Sequence, residues 1–240
     1  MKQKIYYLML LLAAVFTLGA CSSDDDGNGF TLNDQYLYVG DSVKLASNTT
    51  ITNDFVAFIS KTGYLYGYHV GTTTITCNGQ TANLTVRGHY NGLNVETDWT
   101  LTPEQLMSKQ EGQIEMDRTN DDGTRMILYK NVGVANYLGY SFKNNKMFSA
   151  MVFSNPEDMD EVLKYLQERY FFVPEEVDSY TYVGRDAIKQ ADSKTTVMVE
   201  LNTNAKTDYM LQTLFMSTDY MNSSSEAKTS FAKAMIIASK

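Results

Sequence analysis

The sequence predicts a mixed fold: an N-terminal all-β sandwich over residues 30–88, then an α+β domain over residues 89–240 made of two αβββ repeats on an antiparallel sheet. Three observations carry this. Short alternating or β-branched runs recur every 8–12 residues in the first part, punctuated by turn residues. Two helix starts marked by proline, at Thr102-Pro103 and Asn155-Pro156, open the second part. Each is followed by three strand-like runs.

Residues 1–4 are short and basic, and residues 5–18 are almost wholly apolar. That run is too short to span a bilayer comfortably, which takes about 20 residues, and it fits the apolar region of a secretory leader over residues 1–20. Leu18-Gly19-Ala20-Cys21 resembles the lipobox of bacterial lipoproteins. The resemblance implies a diacylglycerol on the Cys21 sulfur, cleavage before it and acylation of the new amine, so membrane attachment is expected through the lipid on Cys21. Residues 21–29, Cys-Ser-Ser-Asp-Asp-Asp-Gly-Asn-Gly, are too hydrophilic to pack and read as a tether. The Ser-plus-acidic run is similar to the export signal of Bacteroidota surface lipoproteins. It implies an outer-membrane location on the cell surface; a tether that is merely solubilising leaves the periplasmic face. Asp24-x-Asp26-x-Asn28-Gly29 also mimics the start of a calcium loop, but its twelfth position is Gln35, not the bidentate glutamate such a loop needs.

In residues 30–88, strands are expected at 35–39, 42–45, 55–60, 64–70, 72–77 and 82–86. Gly40-Asp41, Lys61-Thr62-Gly63, Gly71 and Asn78-Gly79 supply the turns. The residues Leu37-x-Val39-Gly40-x-Ser42-x-x-Leu45, then Phe58-Ile59-Ser60 ahead of Gly63-x-Leu65-x-Gly67-x-x-Val70-Gly71-x-Thr73-x-Ile75, and Ala82-x-Leu84-x-Val86 resemble a bacterial immunoglobulin-like domain of group 2. That family implies a small sandwich used in adhesins and as an extracellular spacer, with no catalytic residues. Tyr64, Tyr66 and Tyr68 alternate with Leu65, Gly67 and His69, and so are expected on one face. They are the candidate contact surface for a protein or glycan; the competing reading is a cross-strand aromatic ladder, which stabilises a sheet directly.

In residues 89–240 the periodicity changes. Thr102-Pro103-Glu104-Gln105 is a capping box and predicts a short helix to about Lys109. Asn155-Pro156-Glu157-Asp158 is expected to start a second, whose Met159, Val162, Leu163, Leu166 and Tyr170 share a face. Strand-like runs follow at 124–130, 136–142 and 146–153, and again at 180–184, 195–201 and 209–216. Tyr129-Lys130-Asn131 aligns with Gly184-Arg185-Asp186, and Met147-x-x-x-Met151-x-Phe153-Ser154 with Met210-x-x-x-Leu214-x-Met216-Ser217. This predicts an internal duplication, with both helices on one face of a shared sheet. Residues 224–240 predict a closing amphipathic helix with Ala227, Phe231, Ala234 and Met235 on one side. Trp99, the one tryptophan, is expected to be buried where the first helix meets the sheet.

The chemistry-bearing signals are sparse. The chain carries 20 basic and 28 acidic residues, and the leader holds two of the basic ones, Lys2 and Lys4. The remainder is strongly acidic, which argues against binding nucleic acid or anionic lipid headgroups. Of the two cysteines, Cys21 is expected to be lipidated and Cys77 to be a small core residue, which leaves no disulfide. With only His69 and His89 as histidines, neither a histidine-based triad nor a metal centre is expected. Asp121-Asp122 reads as a hairpin turn with Gly123, and Glu175-Glu176 as a polar loop. The expectation is a non-catalytic binding, adhesion or scaffold module without cofactor, with a glycan-binding accessory role or a protein-clamping role as alternatives.

Overall fold

A computed structural model describes residues 35–45, 48–173, 181–201 and 211–223. The expected leader, the lipid site Cys21, the tether, Glu175-Glu176 and the closing helix lie outside these residues. The described chain is a mostly β mixed fold, with fifteen strands and three short helices. It divides into two compact units, one reaching His89 and the other beginning at Tyr90.

The first unit has two sheets. One has the order β1 (Gln35–Tyr38), β7 (Gln80–Arg87), β6 (Gly71–Cys77), β3 (Thr49–Ile51), with β1 parallel to β7 and the other pairs antiparallel. The other has β5 (Tyr64–Gly67) between β2 (Ser42–Lys44) and β4 (Ala57–Ile59). Alternation sends Leu37, Val43, Leu65, Ile75, Cys77, Leu84 and Val86 inward, each at most 6% exposed. Gly63 ends the β4–β5 connection at φ +79°, where an L side chain is strained. Sequence periodicity misses β3 and carries β5 three residues too far. The strand stops at Gly67 because the next two amides, of Tyr68 and His69, both turn to the Val56 carbonyl; position 67 itself admits only glycine, since a Cβ there would lie 2.7 Å from the Tyr38 carbonyl.

His69 is buried in this core. Its ring lies 4.1 Å from that of Phe55 at an interplanar angle of 5°, and Nδ1 is 2.8 Å from the Phe55 carbonyl. Burial lowers its pKa, and the bond to Phe55 partly opposes that shift. Cys77 is fully buried and in no disulfide among the described residues.

In the second unit, α1 (Pro103–Lys109) precedes β8 (Gln113–Thr119), β9 (Arg125–Val132), β10 (Ala135–Lys143) and β11 (Lys146–Ser154). Then α2 (Met159–Gln167) precedes β12 (Phe171–Val173), β13 (Thr181–Arg185), β14 (Thr195–Leu201) and β15 (Leu211–Ser217), and α3 (Thr218–Ser223) follows. Each of the first two helices thus leads into four strands, not three; β8 and β12 are the additions. All eight form one antiparallel sheet in the order β12-β13-β14-β15-β11-β10-β9-β8.

The capping box at α1 forms as the sequence predicts: Thr102 Oγ1 accepts from the Gln105 amide and Gln105 Oε1 accepts from the Thr102 amide. Asn155 does not cap. It precedes a 3-10 turn over Pro156–Asp158, and its Oδ1 accepts from Asn136 Nδ2 at 2.6 Å. Leu106 of α1 and Val162, Tyr165 and Leu166 of α2 bury against Ile127, Tyr129, Leu138, Tyr140, Val197, Val199 and Phe215. Trp99 is half-buried at the margin of this core and donates Nε1–H to Thr195 Oγ1 at 3.1 Å. The Tyr140 hydroxyl, within the core, donates to Gln110 Oε1 (2.6 Å) and accepts from the Glu96 amide (2.9 Å). Tyr129 packs edge-on against Tyr140 with ring centroids 6.1 Å apart, and its own hydroxyl is buried without a partner among the described residues.

The opposite face of the sheet carries an apolar row. Register places Met116, Leu128, Gly139, Met151, Leu214 and Met198 in one row across six strands. At the edge, β8 is exposed on both faces apart from Met116. Arg125 braces it through two bonds to Asp117 and one to Glu104 of α1, which hold both carboxyl groups below their ordinary pKa.

Candidate functional site

The three-stranded sheet of the first unit positions the aromatic side chains that the sequence singles out. In β5 the inward Leu65 is 1% exposed, so Tyr64 and Tyr66 face outward. The β4–β5 register sets Phe58 opposite Tyr66, and their rings stack at 5.1 Å with an interplanar angle of 10°. Tyr64 leans on Tyr66 at 6.5 Å. Tyr68 lies past the end of the strand yet joins the same cluster, meeting Phe58 edge to face at 5.7 Å and 90°. The structure therefore brings Tyr64, Tyr66 and Tyr68 together and adds Phe58. Phe58, Tyr68 and Tyr64 are 40%, 37% and 36% exposed, so the ladder is open to a partner as well as stabilising the sheet.

Ring orientation restricts what such a patch can do. The Phe58–Tyr66 stack turns one face of each ring onto the other. The patch offers ring edges, phenol oxygens and the faces outside that stack as contact area, together with Lys44 and Ser42, which pair with Tyr64 and Tyr66. A sugar platform needs an open aromatic face; a protein surface accepts edges and hydroxyls equally well.

Sequence reasoning places Phe58 in a strand but not on the contact surface, because Val56-Ala57-Phe58-Ile59 is continuously apolar and hides the alternation. It also passed over Tyr36 and Tyr38, which are 57% and 44% exposed on β1 of the other sheet. The Arg87 guanidinium lies 4.3 Å from the Tyr36 ring centroid, and His89 stacks on Tyr38 at 5.0 Å.

The remaining candidates have local roles. Asp122 accepts from the amide and hydroxyl of Thr124 in the turn closed by Gly123, and those bonds hold its carboxyl below the usual range. No cluster of histidine, cysteine, aspartate and glutamate suited to a metal ion occurs among the described residues. No described helix is long and apolar enough to cross a membrane.

No family model matches this chain, and no curated protein matches it. Among solved structures it is similar to a cysteine-rich secretory protein from Staphylococcus aureus, at 14% identity over 55% of this chain and a TM-score of 0.25. The chain spans 50% of the length of that protein. A similarity at that level carries no inference about fold or function.

Proposed function

We propose that this chain is a non-catalytic lipoprotein of the bacterial outer membrane. In this reading it is displayed on the cell surface through lipid on Cys21 and contacts a protein partner through the first unit. The observation that carries the contact reading is the outward cluster of Phe58, Tyr64, Tyr66 and Tyr68. Large, stiff amphipathic rings give contact area at little cost in side-chain entropy. The mix of ring edges, phenol oxygens and a neighbouring lysine in this patch suits a protein surface. The anchor rests on the order of the basic start, the apolar run, Gly19-Ala20 and Cys21.

In the same reading the first unit is an immunoglobulin-like sandwich and the second a duplication, now of an αββββ unit. The registers support the duplication residue by residue. Lys130, Tyr137 and Phe153 sit side by side on β9, β10 and β11, and Arg185, Thr196 and Met216 do so on β13, β14 and β15. The alignment that pairs Lys130 with Arg185 also pairs Phe153 with Met216. It equates Met151 with Leu214, and these two residues face each other where β11 meets β15, as a local two-fold axis requires.

The test is photo-crosslinking on intact cells, with a benzophenone amino acid at position 64 and, as control, at position 83 on the other sheet. A discrete protein adduct from position 64 alone, lost in Phe58→Ala, is the expected result. Equal adducts from both positions, or none, would refute the contact surface. Metabolic labelling with an alkynyl fatty acid tests the anchor: label is expected on the wild-type chain and absent from Cys21→Ser.

A further inference from the structure

We propose that a polar cup in the second unit, away from the aromatic patch, binds one or two residues of a neutral glycan. The cup encloses about 640 Å³, within the roughly 300–1,000 Å³ of small-ligand sites. Three segments form its walls: residues 91–94, the Glu111-Gly112 turn ahead of β8, and the β9–β10 hairpin at 131–133. Tyr165 of α2 and Arg169 just beyond it close one side.

The walls are already locked together. Arg169 Nη1 donates to the carbonyls of Tyr90 (3.0 Å) and Tyr165 (3.2 Å), and Nη2 donates to Asn91 Oδ1 (2.9 Å). The guanidinium lies over the Tyr165 ring at 3.9 Å, and the Glu168 carboxylate accepts from the Tyr90 amide. The Gly92 carbonyl accepts from the Val134 amide, and Gly133 packs so closely on that carbonyl that a Cβ would overlap it. A cup held this firmly needs little reorganisation to receive a ligand.

Its chemistry suits hydroxyl groups. Asn94, Glu111 and Asn131 line it, are exposed, and make no side-chain hydrogen bond among the described residues. Two carboxamides and a carboxylate offer donors and acceptors in planar pairs, the pattern that adjacent sugar hydroxyls satisfy because each both donates and accepts. The charges oppose each other: Arg169 has Glu168 at 3.6 Å, and Glu111 stands on the same lining. An anionic ligand meets Glu111 and a cationic one meets Arg169, while a neutral polyol meets neither penalty. Leu93 and Val132 supply an apolar floor for sugar C–H groups.

The test uses the lipid-free full chain carrying Cys21→Ser. It is screened on an array of neutral oligosaccharides of glucose, mannose, galactose, xylose and N-acetylglucosamine, and hits are titrated by calorimetry beside inorganic phosphate. The expected result is saturable binding of a neutral oligosaccharide. Affinity should fall at least tenfold in Asn94→Ala/Asn131→Gly, where glycine keeps the positive φ of position 131, with no change in melting temperature. Glu111→Gln, which keeps one acceptor and adds a donor, should weaken binding less than the double variant does, and Tyr64→Ala/Tyr68→Ala should bind as wild type. Four results would each overturn the assignment: no binding across the array; binding that survives the double variant; phosphate binding that Glu111→Gln strengthens; or loss of sugar binding in the tyrosine pair. The crosslinking at position 64 is independent of all of them, so either proposal can fail alone.

Discussion

Tyr129 and Tyr140 make a controlled comparison inside one core. Both are 1% exposed, they touch edge to face, and among the described residues only the Tyr140 hydroxyl is bonded. Tyr140→Phe leaves Gln110 Oε1 and the Glu96 amide without their partner, in a site dry enough that burial pushes the phenol far above its ordinary pKa. A stranded buried donor or acceptor costs about 1–3 kcal/mol, and Glu96 is only part-buried, so a loss of about 2–4 kcal/mol is expected. For a unit of this size that is a fall in Tm of about 5–15 °C. Tyr129→Phe removes a hydroxyl that is buried without reward, so its stability should be unchanged or higher by about 1 kcal/mol. Urea unfolding followed by the fluorescence of Trp99 reads the second unit directly, because that residue packs on its core. If Tyr129→Phe loses as much as Tyr140→Phe, the two hydroxyls are equivalent and the bonding scheme of this core is wrong.

Three further outcomes are expected. His69 is less readily protonated folded than unfolded, so the first unit keeps its full stability above the ordinary value of 6.5 and loses it as pH falls below that; urea midpoints by circular dichroism between pH 5 and 8 should show the loss, and His69→Gln should flatten it. Gly133→Ala forces a side chain into the left-handed region (φ +59°) and onto the Gly92 carbonyl, at a cost of about 2–5 kcal/mol in the chemical denaturation of the second unit. Cys77, fully buried, should react with a water-soluble disulfide reagent only at the unfolding rate of the first unit, and prompt labelling of the native chain would contradict its place in the core.

The features legible in the order of residues are local. The capping box at Thr102 and Gln105 is made within four residues, and the tight turns at Asn78-Gly79 and Asn144-Asn145 use positive φ values that asparagine and glycine tolerate. Inward residues of β5, β6 and β7 follow from alternation alone. Long-range packing set the rest. β8 has no apolar alternation, because neither of its faces is covered, and it is a strand only through its pairing with β9 and the Arg125 brace. Asn155 carries the residue type of a helix cap, but Asn136, nineteen positions earlier, claims its oxygen. Phe58 becomes an outward ring only once β4 is set against β5. The cup around Asn94, Glu111 and Asn131 draws on three segments whose meeting depends on Arg169 and on the contact between Gly92 and Gly133. Short-range rules act through bonds a chain makes with its near neighbours. Edges, faces and cups are made by segments far apart in sequence, and their positions follow from which surfaces the folded chain can bury together.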